Sequence, residues 1–163
     1  MASINVEKEV LGSIGGIIKI HNYRTADDGH SHSNTDIDLS KTNLNYSING
    51  YDGQTVINLV KEKKKEYDTL IPPKRVRSDR KVYFNLSVPC PSTIPMERRD
   101  EFFQKSYDEL QKVFDGCLID GMVHKDEVHT YIDPTTQTER ISLEHMHIVG
   151  VPFTKVSHLF GQS

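Results

Sequence analysis

The chain predicts an α+β fold: a mainly antiparallel sheet with helices packed on it. Three observations carry that prediction. Several short segments are rich in β-branched and aromatic residues or alternate apolar with polar positions, as strands do. Others repeat apolar residues every three to four positions, as helices with one buried stripe do. The two kinds of segment mix without strict strand–helix–strand alternation, which argues against a parallel, doubly wound sheet.

Taken in order, residues 3–9 read as a short edge strand. Ile14, Ile17, Ile18 and His21 then recur at helical spacing, with Ser13 as N-cap and with Gly15 and Gly16 weakening the helix. His21 should share the apolar face with the three isoleucines, and Arg24 follows one turn on. A histidine on such a face is, by itself, most simply a core residue with a satisfied hydrogen bond. Residues 25–45 are a long polar loop carrying His30, His32, Asn34 and Asp36, and long loops in compact domains are commonly functional. His30 and His32 could be metal ligands, although exposed loop histidines usually are not.

Residues 44–48 are a short extended piece closed by Asn49-Gly50. Val56, Leu59, Val60, Tyr67 and Leu70 set a helix over 54–69, ended by Pro72-Pro73. Residues 82–88 form a strand. Ser92 or Thr93 should cap a helix over 95–114, with Phe103, Tyr107, Leu110 and Phe114 as its buried stripe and Asp115-Gly116 as its stop. Residues 117–124 are the next strand. Residues 128–131 and 140–143 pair as hairpin arms around 133–137. Residues 143–152 close the series as a buried strand that ends at Pro152.

The 163 residues suit one domain, with 36% hydrophobic and 26% charged residues and no apolar run long enough for a membrane span. The first ten residues lack the cationic-then-apolar order of a signal peptide. Cys90 and Cys117 are too few for a disulfide framework or a thiolate zinc site, and Cys117 reads as a small core residue. A cytoplasmic location follows as the expectation. The net charge of −3 is not that of a typical nucleic-acid binder. Basic residues nevertheless concentrate in runs at 61–65 and 74–81. Such runs are usually a solvated face, but Lys74, Arg75, Arg77 and Arg80 could form a rim that tracks phosphates.

The chemistry concentrates in the last strand. His145 and His147 are two apart, so both imidazoles point to one face while Met146 and Ile148 point to the other. His124 ends an earlier strand, followed by Asp126 and Glu127. Three imidazoles could thus converge on one divalent ion, with open positions for water or a phosphate oxygen. Asp126 or Glu127 could orient a ligand ring or move a proton.

Three ordered blocks also resemble the Mob/Pre plasmid mobilisation relaxases of the MobV class, within the HUH endonuclease superfamily. They are His21-Asn22-Tyr23-Arg24; His32 to Ile37 with Leu44-Asn45-Tyr46; and His124-Lys125-Asp126-Glu127 with His145-Met146-His147. Two departures stand out. Residues 128–144 intervene where the family commonly has a short link, and Glu144 replaces its proline. Family members are also usually longer, so the chain would be one relaxase domain, 1–163, truncated at its C-terminus or minimal.

The resemblance implies an HUH relaxase-like fold and metal-dependent nicking of one DNA strand at an origin of transfer, single-stranded or hairpin. It implies Mn²⁺ or Mg²⁺ as cofactor, held by His124, His145 and His147. It implies His21 as nucleophile, giving a phosphohistidine link to the 5′ end, with Arg24 on a phosphate and Glu127 in catalysis. Tyr46 is the alternative nucleophile, and Asn34, Asp36 and Asp126 are supporting positions. A homodimer through a C-terminal region beyond this chain would fit the family. Two other readings stay open: a hydrolytic metal-dependent phosphodiesterase, and an inactive DNA-binding module on the same scaffold.

Overall fold

The computed structural model describes residues 4–24, 37–75 and 77–152, apart from the side chains of His129 and Ser142. The strands are β1 (Asn5–Val10), β2 (Tyr46–Ser47), β3 (Lys81–Pro89), β4 (Leu118–His124), β5 (His129–Ile132), β6 (Glu139–Ser142) and β7 (His145–Gly150). Five of them form one sheet in the order β1-β3-β7-β4-β2, and every neighbouring pair is antiparallel. β5 and β6 pair separately, as the hairpin pattern predicts. β1 lies at an edge, also as expected.

The two sheet faces are covered by different helices. Helix α2 (Arg99–Val113) places Phe103 and Tyr107 against Leu86, Val88, Val123, Met146 and Ile148. Helix α1 (Gly53–Leu70) packs Val56, Ile57 and Val60 with Ile14, Ile18, Tyr83 and Val149 on the opposite side. Asp52 starts α1 by accepting from the Thr55 N–H at 2.7 Å. The alternation in β7 therefore holds: Met146 and Ile148 face α2, and the histidines face the other layer.

Four local expectations are corrected. The segment after β1 is a 3₁₀ turn, Leu11–Ser13, followed by a π-helix, Gly15–Asn22, closed by the Tyr23 N–H on Ile18 O at 3.0 Å. Its wider winding spaces the buried positions by four, so Ile14, Ile18 and Asn22 are buried, while Ile17 and His21 form a half-buried stripe beside them. Ser13 is not a cap; its hydroxyl donates to Val10 O and shares a 2.7 Å hydrogen bond with Tyr83. Neither Ser92 nor Thr93 caps α2, which is entered through a 3₁₀ turn at Met96–Arg98. The stop at Asp115 and Gly116 stands, both with positive φ (52° and 76°). Cys90 is buried, whereas Cys117 is only half-buried.

Candidate metal centre and nucleophile

β4 and β7 pair with His124 opposite His145, which brings the two sequence-distant histidine motifs to the same sheet end. His124 Nδ1 lies 3.2 Å from His145 Nε2, and His145 Nε2 lies 3.1 Å from His147 Nε2. Two ligands about 2.1–2.2 Å from one ion and roughly 90–110° apart are about 3.0–3.6 Å from each other. The three rings are therefore already set at the separation an ion needs, and the cluster can hold one.

Their protonation suits that use. Burial holds His124 well below the ordinary histidine range, helped by the Arg24 charge. Burial does the same for His147, helped by His124 and His145. His145 is also lowered, mainly by burial, against the opposing pull of Glu127. All three rings are thus neutral at pH 7, with lone pairs to give. The His124 tautomer is fixed because its Nε2–H donates to Asn22 O at 2.6 Å, leaving Nδ1 toward the cluster.

His21 joins this cluster. Its ring lies 5.0 Å from the His147 ring and 6.1 Å from that of His124, centroid to centroid. His21 and His147 both line a cavity of about 280 Å³ floored by Asn85 and Ser87 of β3. The half-buried stripe of the π-helix puts His21 there rather than in the core.

Arg24 differs from the expectation that it grips a phosphate. Its side chain is 2% exposed, and its donors are taken. Nε donates to Asp126 at 3.1 Å, and Nη2 pairs with Asp126 and Glu127 and approaches His124 Nδ1 at 3.3 Å. Nη1 donates to His21 O. Arg24 reaches this position with φ 51°, a left-handed conformation that costs an arginine roughly 1 kcal/mol or more. Asp126 also accepts from Asn45 at 2.9 Å and Thr42 at 3.0 Å. Burial raises the Asp126 carboxyl, but these hydrogen bonds and the Arg24 charge outweigh it and hold it below the usual carboxylate range. Glu127 stands 3.4 Å from His145 Nε2 and 3.7 Å from His124 Nδ1. It is the carboxylate that faces the rings directly.

Tyr46 is not beside the histidines. It pairs with Val123 of β4, on the α2 face, and its hydroxyl donates to Asp100 at 3.0 Å. Burial and the Asp100 carboxylate push its phenol further from ionisation. Lys74 and Arg75 are exposed; Arg77 is paired with Asp79 at 2.8 Å, and Arg80 with Asp68 at 2.7 Å. This rim adjoins Lys81, six residues and about 20 Å of strand from Ser87, the register partner of His147. Asn34, Asp36, His30 and His32 lie outside the described residues.

Sequence reasoning gave no role to several other residues of the site. Asn22 is buried and supports His124 through its carbonyl. Asn45 and Thr42 clamp Asp126. Asp120, fully buried, anchors the residue before Arg24 by accepting from the Tyr23 hydroxyl. Asn85 and Ser87 are legible in sequence only as the polar positions of an alternating strand.

A three-histidine cluster on an antiparallel sheet, with a fourth histidine supplied by a helix, defines an α+β protein with a site able to hold a metal ion. The whole chain, residues 1–163, matches the Mob_Pre model, described as plasmid recombination enzyme, and the chain belongs to that family. Among solved structures it is similar to the Mn-bound MobM relaxase domain (MOBV; Mob_Pre) on 22-nucleotide pMV158 oriT DNA at pH 5.5, with 21% identity and a TM-score of 0.68, covering 99% of this chain and 77% of that one. The complex with 3′-thiophosphate at pH 6.8 gives 22% identity and a TM-score of 0.70 over the same shares of each chain. The fold is thus that of the MobM relaxase domain. Curated proteins gave no match. Among the described residues, no helix is long and apolar enough to cross a membrane.

Proposed function

We propose that this domain nicks one strand of DNA at a plasmid origin of transfer by transesterification, with His21 as nucleophile. The observation that carries the reading is the His21 ring set against His147, at a cavity beside the convergent triad. His124, His145 and His147 would hold Mn²⁺ or Mg²⁺. Such an ion would polarise the scissile phosphate and stabilise the charge that builds as the bond breaks.

A ring nitrogen of neutral His21 attacks phosphorus with its lone pair. The P–N bond forms as the bond to the 3′ oxygen breaks. The proton on the other His21 nitrogen is lost, and one proton completes the released 3′ hydroxyl. Glu127, the carboxylate facing the rings, carries that proton. The protein stays joined to the 5′ end as a phosphoramidate, and the 3′ hydroxyl can reverse the step. Arg24 and Asp126 act behind this centre, fixing Glu127 and the end of the His21 helix. Incubation with labelled single-stranded origin DNA and Mn²⁺, followed by a denaturing gel, tests the reading. A protein-linked label supports it. Cleaved DNA that accumulates with turnover and no adduct favours hydrolysis, and binding without cleavage favours an inactive module.

The lowered histidines give a pH prediction. Their folded-state pKa values lie below the unfolded value of about 6.5. Their contribution to stability is therefore present above about pH 6.5 and is lost as pH falls through the folded values. Metal affinity should persist into mildly acidic solution and decline below it, because protons then compete for the same lone pairs. The rise in Tm on adding Mn²⁺, followed from pH 8 to 4.5, checks it. A rise that vanishes already above pH 6.5 would contradict burial as the main cause of the lowered values.

The basic rim gives a further one. If Arg75 and Arg77 track phosphates, Arg75→Ala/Arg77→Ala should flatten the log–log salt slope for single-strand binding by about 0.7 for each phosphate left unneutralised. An unchanged slope would assign both to a solvated face, in keeping with the pairing of Arg77 to Asp79.

A further inference from the structure

A neutral imidazole has one N–H and one lone pair, so a ring that gives one nitrogen to an ion must carry its proton on the other. That proton needs an acceptor, or the tautomer is left to chance. His124 has Asn22 O. His145 has a backbone hydrogen bond to Leu143. For His147, whose Nε2 faces the cluster, the group facing Nδ1 is the Asn85 carboxamide at 3.5 Å.

We infer that Asn85 is a positioning residue for His147: its carboxamide accepts the Nδ1 proton, keeps the Nε2 lone pair on the ion, and is braced by Asn22. The inference rests on the metal-centre reading of the histidine triad. In the orientation found, the Asn85 NH₂ faces His147, and Asn85 Oδ1 accepts from Asn22 Nδ2 at 3.1 Å. Asn22 Oδ1 is then buried without a partner. That arrangement serves the Nε2–H tautomer, whose proton can be shared with His145 Nε2 at 3.1 Å.

A half-turn of each carboxamide serves the other tautomer. Asn85 Oδ1 then accepts from His147 Nδ1–H, and Asn85 Nδ2 donates to Asn22 Oδ1. The partnerless oxygen gains a donor, and the Asn22 NH₂ moves to the place it leaves. No bond is made or broken in the protein frame; the His147 proton moves from Nε2 to Nδ1 through solvent. Asn22 thus governs two of the three rings, His124 by its carbonyl and His147 through Asn85. It does so from the position next to His21, which ties the nucleophile's helix to the centre.

Zn²⁺, diamagnetic and suited to three imidazoles, is the probe. Nitrogen-15 histidine spectra of the Zn²⁺-loaded chain read the His147 tautomer, and calorimetry reads affinity. Loaded wild type should show Nδ1–H at His147. Asn85→Leu, which removes the acceptor, should lose about 10–100-fold in Zn²⁺ and Mn²⁺ affinity. Asn85→Asp, which keeps an oxygen there, should stay within about threefold of wild type or bind more tightly. The inference is overturned by a folded Asn85→Leu protein of unchanged affinity, by Nε2–H at His147 in the loaded wild type, or by Asn85→Asp binding no better than Asn85→Leu. Wild type that binds neither ion at these histidines sinks the metal-centre reading itself. Wild type that binds, with Asn85→Leu unchanged, sinks the positioning role alone.

Discussion

His21→Ala should abolish strand nicking and the protein–DNA adduct, by about 10⁴-fold or more, as loss of a covalent nucleophile does. Metal affinity and non-covalent DNA binding should survive. The His21 ring packs edge-on to His147 and His124 but is not one of the three convergent nitrogens, so its loss leaves the triad standing. The adduct itself should be acid-labile. Protonating the free ring nitrogen of a phosphorylated imidazole makes the imidazole a good leaving group, whereas a tyrosine phosphodiester persists. Tyr46→Phe should leave the adduct largely intact, because Tyr46 lies on the other sheet face and is bound to Asp100. A surviving adduct in His21→Ala that disappears in Tyr46→Phe would reverse the assignment. A neutral imidazole is already nucleophilic near pH 7, while a phenol with a pKa of about 10 needs activation, and burial at Tyr46 moves it the wrong way.

The central strands β3, β4 and β7 were legible because each had to satisfy a covered face, and the exposed β5–β6 hairpin because of its turn. Period two in β7 fixed which side His145 and His147 take, and pairing to β4 then brought His124 to them across an intervening hairpin. The His21 helix was legible as a helix but not in its winding. A reading at 3.6 residues per turn put His21 with Ile14 and Ile18; the π-helix moved it one stripe outward, into the cavity, and gave the buried place to Asn22. The role of Arg24 was hidden for a related reason. Sequence shows an arginine near a histidine and suggests a phosphate, but cannot show that the backbone turns left-handed and buries the guanidinium. The supporting amides were the least legible. Asn22, Asn45 and Asn85 work through partners far along the chain, and only the assembled sheet identifies those partners.

That burial makes Arg24 the second position where a large effect is expected, and on stability before activity. Arg24→Met leaves Asp126 fully buried with its neutral donors but without its countercharge. Removing one partner of a buried pair costs about 3–5 kcal/mol, a large part of a domain's total of about 5–15 kcal/mol. Part of this is returned, since the left-handed turn at residue 24 no longer has to be held for the sake of the fork. Urea unfolding should show a lower midpoint at unchanged slope. Arg24→Lys should recover only a fraction, because an ammonium cannot span Asp126, Glu127 and the His21 carbonyl at once. Asp126→Asn placed in the Arg24→Met background should recover more, since it removes the orphan charge while leaving an oxygen for Asn45 and Thr42. Acid separates this from a packing defect. In wild type the lowered Asp126 contributes stability above about pH 4 that is lost as pH falls. In Arg24→Met, burial without the arginine raises the same carboxyl, so the variant is penalised at neutral pH and relieved as Asp126 takes up a proton. The gap between the two proteins should therefore narrow from pH 7 to pH 5. A gap that stays constant would mean that Arg24 stabilises the centre by its shape and not by its charge.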